Sequence, residues 1–309
     1  MFANVVPIGK HTTIHQPPRL LFHHSSYYLK DAIHMFAWVT LLTQPSYLVG
    51  VKALHRSLQK SGTPWPLVVM VTGNVEQNVR EALVQDGCIV HPVEHLAPQA
   101  ELTQHYALPQ FGEVWNKLRI WGLTDYKRVV FLDADMLVLQ NMDELFTLDF
   151  GDNTIAACHA CRCNPRKLKS YPADWNPEHC HYTWQERGEQ PPASLDLYLN
   201  GGFLVLEPDN AVLQMFEEKL AAIDDLKKYP FAEQDFLNEV FSERWLPLPY
   251  IYNALKTLMF QHSRIWQQDE VKNIHYILEK PWKIDIEQSR QENDRYYPLD
   301  KLWWEIGKG

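Results

Sequence analysis

Basic residues are in deficit, cysteines are few, and no apolar stretch is long. Each shortage removes a class of function. Lys and Arg total 29 against 38 Asp and Glu, a formal charge of -9, so the chain as a whole repels nucleic acid and anionic lipid. No window reaches the ~18 apolar residues that a membrane helix requires, so no membrane span is expected. The first 35 residues lack an apolar run behind a basic start and a small-residue cleavage site, and do not read as a secretory signal. Five cysteines, Cys88, Cys158, Cys161, Cys163 and Cys180, are an odd number in a long chain, which favours reduced thiols and a cytoplasmic setting. No internal repeat or low-complexity block is present, which argues against a solenoid.

What is present suffices for a substantial core. The 309 residues are 46% hydrophobic, enough for one large domain or two small ones. Aromatics make up 12%, with 11 Trp and 14 Tyr, and such faces can line a site for sugars or nucleobases. Residues 1–31 are rich in His, Pro, Ser and Thr without periodicity and read as an extension. From residue 36 apolar runs alternate with amphipathic stretches: strands over 36–42, 66–71, 88–90 and 128–132, helices over 47–60, 75–85 and 114–123. This alternation predicts an α/β fold with a mainly parallel central sheet flanked by helices. Ligands in such sheets bind beyond the carboxyl ends of the strands, which directs attention to Thr43, Thr72 and Asp133. Further along, 158–192 reads as a long functional loop, 199–206 as a strand interrupted by Gly201 and Gly202, and 211–223 and 233–241 as helices. Leu302, Trp303 and Trp304 suggest a docking anchor near the end.

The sharpest local feature is Asp133-Ala134-Asp135 inside an otherwise apolar run. In an extended strand both acids point to one side, and two unpaired carboxylates there repel unless a cation neutralises them. Mg²⁺ or Mn²⁺ suits carboxylate oxygens and leaves positions open for phosphate. Downstream, His275 precedes Lys280 by five residues. A neutral imidazole can serve as a third metal ligand, and an ammonium can hold a diphosphate oxygen. Between them lie Asn200-Gly201-Gly202, which permits close backbone approach, and the polar cluster Glu233-Gln234-Asp235 at a helix start.

In order, the chain carries Val39-Thr40-Leu41-Leu42-Thr43 with Tyr47 and Gly50, then Asn116-Lys117-Leu118 with Trp121, then the Asp133/Asp135 pair. Asn200-Gly201-Gly202, Glu233-Gln234-Asp235, Leu248-Pro249 with Tyr252-Asn253, and His275 with Lys280-Pro281-Trp282 follow. This ordered set, covering 36–282, resembles the retaining glycosyltransferases of family 8, the group containing glycogenin and plant galactinol synthase. The resemblance implies a GT-A, Rossmann-like nucleotide-diphospho-sugar transferase domain over 36–290, preceded by the extension 1–35 and followed by a segment, 291–309, packing on it. It implies a UDP-sugar donor, UDP-glucose or UDP-galactose, with Mn²⁺ or Mg²⁺. The acceptor would be a hydroxyl of a polyol such as myo-inositol, a glycan or a protein Tyr, and a homodimer follows by analogy. Leu41, Thr43 and Tyr47 would surround uracil and ribose. Asp133, with Ala134 beside it, would contact ribose and metal, and Asp135 and His275 would complete the metal ligands. Lys280 would hold the diphosphate, Lys117 the donor sugar or its phosphate, and Asn200 and Glu233 the sugar hydroxyls. Gln234 would lie beneath the anomeric carbon, so that Gln234, Glu233 and Lys280 form the catalytic set.

Three positions depart from the family pattern: Gln44 where Asn is frequent, Leu278 where Gly is frequent, and Glu233 where Asp is usual. Two rival readings compete with this one. Asp133 could be the nucleophile of a haloacid-dehalogenase-type phosphatase, although such a pair normally follows the first strand. Cys158, His159, Cys161 and Cys163, with His179, Cys180 and His181, are residue types suited to zinc in a non-catalytic sugar-nucleotide-binding or zinc-binding protein. Their spacing lacks paired C-x₂-C knuckles, which favours free thiols.

Overall fold

The computed structural model describes residues 34–98 and 112–307, all within one compact unit spanning 33–309. The expected extension lies outside the described residues except for its last two positions. Strand β1 (His34–Leu42) runs into a 3-10 turn at Pro45–Tyr47 and then helix α1 (Leu48–Lys60). Strand β2 (Leu67–Val71), α2 (Gln77–Gln85) and β3 (Ile89–Pro92) follow, within a few residues of the expected bounds. The expected helix over 114–123 is instead a 3-10 helix, Val114–Gly122. Its buried Trp115, Leu118 and Trp121 recur every third residue, the period that puts side chains on one face when there are three residues per turn.

Strand β4 (Tyr126–Leu132) ends immediately before Asp133, and β5 (Met136–Val138) begins immediately after Asp135. Asp133, Ala134 and Asp135 therefore form a turn rather than an extended strand, closed by Met136 N donating to Asp133 O at 3.2 Å. Strand β6 (Ile155–His159) opens the segment expected to be a long loop, which also contains helix α3 (His181–Arg187). Strand β7 (Leu199–Leu206) passes through its two glycines without interruption. Helices α4 (Asn210–Ala221) and α5 (Glu233–Val240), strands β8 (Trp245–Leu248) and β9 (Ala254–Leu255), and helix α6 (Leu258–Gln261) follow. The chain continues through β10 (Asn273–His275), α7 (Ile286–Gln291) and α8 (Tyr297–Gly307).

The main sheet has the order β3-β2-β1-β4-β7-β6-β8, parallel except where β7 runs antiparallel to β4 and β6. Alternate side chains of β1 enter opposite cores, as the two-residue strand period requires. Ala37 and Val39 join Trp115, Trp121, Phe216 and Phe236 on one face, and Trp38 and Leu42 join Val51, Leu54 and Leu83 on the other. A second sheet, β5-β10-β9, carries a third core with α8, where Trp303 is buried and Tyr276 Oη donates to Leu299 O at 2.6 Å. Helix α8 is tied to α1 by Arg56 Nη1 donating to Gly307 O at 2.6 Å and Lys60 Nζ donating to Ile306 O at 3.0 Å.

Candidate active site

The carboxyl ends of β1 and β4, the start of β7 and the end of β10 meet at one cavity of about 710 Å³. Backbone pairing explains the convergence. Leu132 pairs with Phe203, and Asp133 N donates to Gly202 O at 2.9 Å, which seats the turn against the amino end of β7. In the small sheet Met136 pairs with His275, and Tyr276 N donates to Asp135 O at 2.9 Å, which brings the imidazole to the same turn. Gly202 has no room for a side chain, since a Cβ there would lie 2.5 Å from His275 Cε1 and 2.8 Å from Asp133 Oδ2.

Asp133, Asp135 and His275 each present one ligand atom within 4.8 Å of the others. His275 Nδ1 lies 2.8 Å from Asn253 Oδ1, an acceptor, so the Nδ1–H donates there and Nε2 is the ring nitrogen turned to the acids. Nε2 stands 3.3 Å from Asp135 Oδ1 and 3.7 Å from Asp133 Oδ2. Two carboxylates and a correctly oriented imidazole are a donor set that can hold a divalent ion. Burial alone would raise the Asp135 carboxyl, but Lys280 and His275 outweigh it and hold it well below the usual carboxylate range. Lys280 bonds Asp135 and donates to Tyr276 O at 3.0 Å, and its ammonium is favoured by Asp135 against the cost of its burial.

A second ion pair lies behind the first. Lys117, on the 3-10 helix, is only 3% exposed and donates to Glu233 Oε1 at 2.7 Å and Gly201 O at 2.8 Å, with Asp133 Oδ1 at 3.1 Å. Burial raises the Glu233 carboxyl and Lys117 opposes that rise. Gln234 is held at both ends of its amide. Its Oε1 accepts from Asn200 Nδ2 at 3.0 Å and Gly201 N at 3.1 Å, and its Nε2 donates to Tyr198 Oη at 3.3 Å. Asn200 Oδ1 accepts from Asn253 Nδ2 at 2.8 Å, so one polar network links the glutamine to the imidazole. Asp235 turns away from the cavity, accepting from Tyr198 Oη and from Phe231 N, and burial pushes its carboxyl up to about 6.

Leu41, Thr43, Tyr47, Lys117, Asp133, Ala134, Asp135, Asn200, Glu233, Gln234, His275 and Lys280 all line this cavity. Other residues singled out from the sequence do not. Thr72 is buried beside β2, Asn116 accepts from Leu96 N at 2.8 Å, and Trp121 is core. Tyr252 donates to Glu144 Oε1 at 2.8 Å. Sequence reading misses an aromatic wall of Tyr171, Trp175 and Phe231, with Trp175 stacked on Phe231 at 4.2 Å between centroids. It also misses Phe260 and the stretch Asp294, Arg295 and Tyr296, which come from elements far along the chain. The aromatic richness of 171–175 is the signal that could have found the wall.

Among curated proteins, galactinol synthase 4 of Arabidopsis thaliana is 31% identical over 291 residues, covering 90% of this chain and 84% of its own. Galactinol synthase 1 of the same plant is 33% identical over 280 residues, covering 87% and 78%. The solved structure of the galactosyltransferase LgtC with donor and acceptor sugar analogues matches with a TM-score of 0.57 at 18% identity, covering 87% of this chain and 96% of that one. The bifunctional glycosyltransferase WbbM matches at 0.59 and 21%, covering 92% and 53%. These two likenesses identify the fold as GT-A. The phosphatase reading of Asp133 is not favoured: the acid follows the fourth strand and is engaged by Lys117. Among the described residues no helix is long and apolar enough to cross a membrane. The profile of glycosyl transferase family 8 matches residues 38–285, and the chain belongs to that family of glycosyltransferases.

Proposed function

We propose that this chain is a metal-dependent, retaining galactosyltransferase that uses UDP-galactose and a small polyol acceptor such as myo-inositol. The observation that carries the reading is the joining, in one cavity, of the Asp133/Asp135/His275 donor set, Lys280, and the Lys117–Glu233 pair beside Gln234. The names of the galactinol synthase relatives supply the sugar and the acceptor class. Asp133, Asp135 and His275 would hold the ion, Mn²⁺ or Mg²⁺, which when bound supplies positive charge to the diphosphate.

In this reading Leu41, Thr43 and Tyr47 receive uridine at the end of β1. Lys280 neutralises a diphosphate oxygen, giving up part of its contact with Asp135. Such preset charge favours departure of UDP, because negative charge builds there as the bond breaks. Asn200 and Glu233 orient the sugar hydroxyls, and the buried Lys117 fixes Glu233 in place. Gln234 Oε1 already accepts two hydrogen bonds, which disfavours it as a nucleophile. We infer same-face attack: the bond from the anomeric carbon to the β-phosphate oxygen breaks and the acceptor oxygen bonds to that carbon from the vacated side. The departing phosphate takes the hydroxyl proton. The aromatic wall of Tyr171, Trp175 and Phe231 offers a flat apolar face to the acceptor ring. Tyr250 and Tyr252 do not line the cavity, which favours a small acceptor over self-glycosylation at those positions.

The test combines UDP-galactose or UDP-glucose with myo-inositol, in Mn²⁺ or in EDTA, with product configuration read by NMR. An α-galactosyl inositol formed only with metal supports the proposal. Transfer from UDP-glucose alone, or an intact-mass increase of the protein without inositol product, overturns the sugar or the acceptor respectively. A glycosyl adduct trapped on Glu233 would overturn same-face attack.

A further inference from the structure

The motif that glycosyl transfer leaves unused is the cysteine-rich segment after β6. Cys161 and Cys163 lie just past that strand, Cys180 is the residue before α3, and His262 is the residue after α6. Three separate parts of the chain thus converge. His262 Nε2 stands 3.5 Å from Cys161 Sγ, 3.3 Å from Cys163 Sγ and 3.6 Å from Cys180 Sγ, and the sulfurs of Cys161 and Cys180 are 4.0 Å apart. All four ligand atoms lie within 4.8 Å of one another. A tetrahedral zinc ion with ordinary Zn–S and Zn–N bonds places sulfur and nitrogen about 3.5 Å apart and two sulfurs about 3.8 Å apart.

We propose that Cys161, Cys163, Cys180 and His262 form a structural zinc site. Cys163, Cys180 and His262 are no more than 4% exposed, so four protein ligands close the coordination sphere and leave no open position for catalysis. The imidazole is already oriented for ligation, since its Nδ1 faces Glu186 Oε2 at 3.3 Å, the carboxylate-to-histidine support that fixes Nε2 toward a metal. Glu186 is itself held, since Oε1 accepts from Arg264 N at 3.0 Å. Thr183 Oγ1, 3.5 Å from Cys163 Sγ, can donate to that thiolate. A disulfide accounts for the cluster less well, because three sulfurs surround one imidazole and the Cys161–Cys180 gap of 4.0 Å is about twice an S–S bond. The other expected candidates stand apart. Cys158 Sγ donates to Pro249 O at 3.2 Å, His179 is exposed, and the rings of His159 and His181 stack on each other at 3.8 Å. The ion would pin both ends of the segment carrying Tyr171 and Trp175, so its role is to fix that wall of the cavity.

The test uses the full chain expressed without added metal, dialysed against EDTA and analysed by inductively coupled plasma and native mass spectrometry. We expect about one zinc per chain, released to a chromophoric chelator as a mercurial titrates the thiols. Cobalt replacement should give the intense visible bands of a tetrahedral thiolate site. Asp135→Asn should retain the zinc, which separates this site from the cavity ion, whereas Cys180→Ser or His262→Ala should lose it. Wild-type protein with less than about a fifth of an equivalent of zinc overturns the proposal. So does a Cys161–Cys180 disulfide detected by peptide mapping, or full zinc retention in Cys180→Ser. Should the variants fail to fold, the wild-type stoichiometry decides.

Discussion

Asp135 shows how much chemistry one carboxylate can organise. It faces Lys280 on one oxygen and His275 on the other, so its charge is compensated before any ligand arrives. Asp135→Asn removes that charge but little volume. We expect the variant to fold and to lose more than about 100-fold in turnover, with weakened Mn²⁺ dependence. Activity assays alongside circular dichroism check both halves; full turnover would sink the metal assignment. Leu278 presents a backbone problem instead. It occupies φ 66°, in the left-handed region, within the turn where the family frequently has glycine. A side chain there costs about 1–2 kcal/mol, so the turn adopts its glycine-like shape in spite of the residue. Leu278→Gly relieves that strain while losing a half-buried side chain, whereas Leu278→Ala loses the side chain and keeps the strain. Thermal unfolding should place the Gly variant about 1 kcal/mol above the Ala variant.

At the scale of elements, α1 leans directly on the turn between β4 and β5. A Cβ at Gly50 would sit 2.4 Å from Ala134 O and 2.9 Å from the Trp282 ring. The carbonyl cannot move without shifting Asp133 and Asp135. Gly50→Ala should therefore lower stability by about 1–3 kcal/mol and weaken metal binding together, read by thermal melts with and without Mn²⁺. A loss of stability with unchanged metal affinity would show that helix and turn move independently. Placement also governs the 3-10 helix at 114–122. The apolar pattern there is legible as helical and predicts an α-helix, although its repeat of three belongs to the tighter winding. That winding accompanies the delivery of Lys117 to Glu233 and Asp133.

For the molecule as a whole, burial sets a pH dependence that has nothing to do with catalysis. Asp300 on α8 is 1% exposed, neither of its carboxylate oxygens has a hydrogen-bond partner among the described residues, and burial pushes it up to about 6. In the unfolded chain the group titrates near ~3.9. Between these values the folded state keeps a proton that the unfolded state has released, so stability falls as pH rises through that window. Asp300→Asn should melt higher than the parent at about pH 7.5, and the advantage should vanish by about pH 4. A constant difference across that range would show that the buried charge is not its cause.

The sequence by itself determined the alternation of strands and helices, the mainly parallel sheet, and the candidate polar residues that share one cavity, because the signals are local. Apolar runs have a period, the Asp133/Asp135 pair is two residues apart, and the glycines and His275 with Lys280 stand in a recurrent order. Tertiary structure decided the rest. The acids, expected on an extended strand, lie in a turn, since β4 must end for β5 to pair with β10. The cavity's aromatic wall and the ligand His262, 82 residues beyond Cys180, belong to no motif, because their meeting depends on long-range packing that leaves no mark on local spacing.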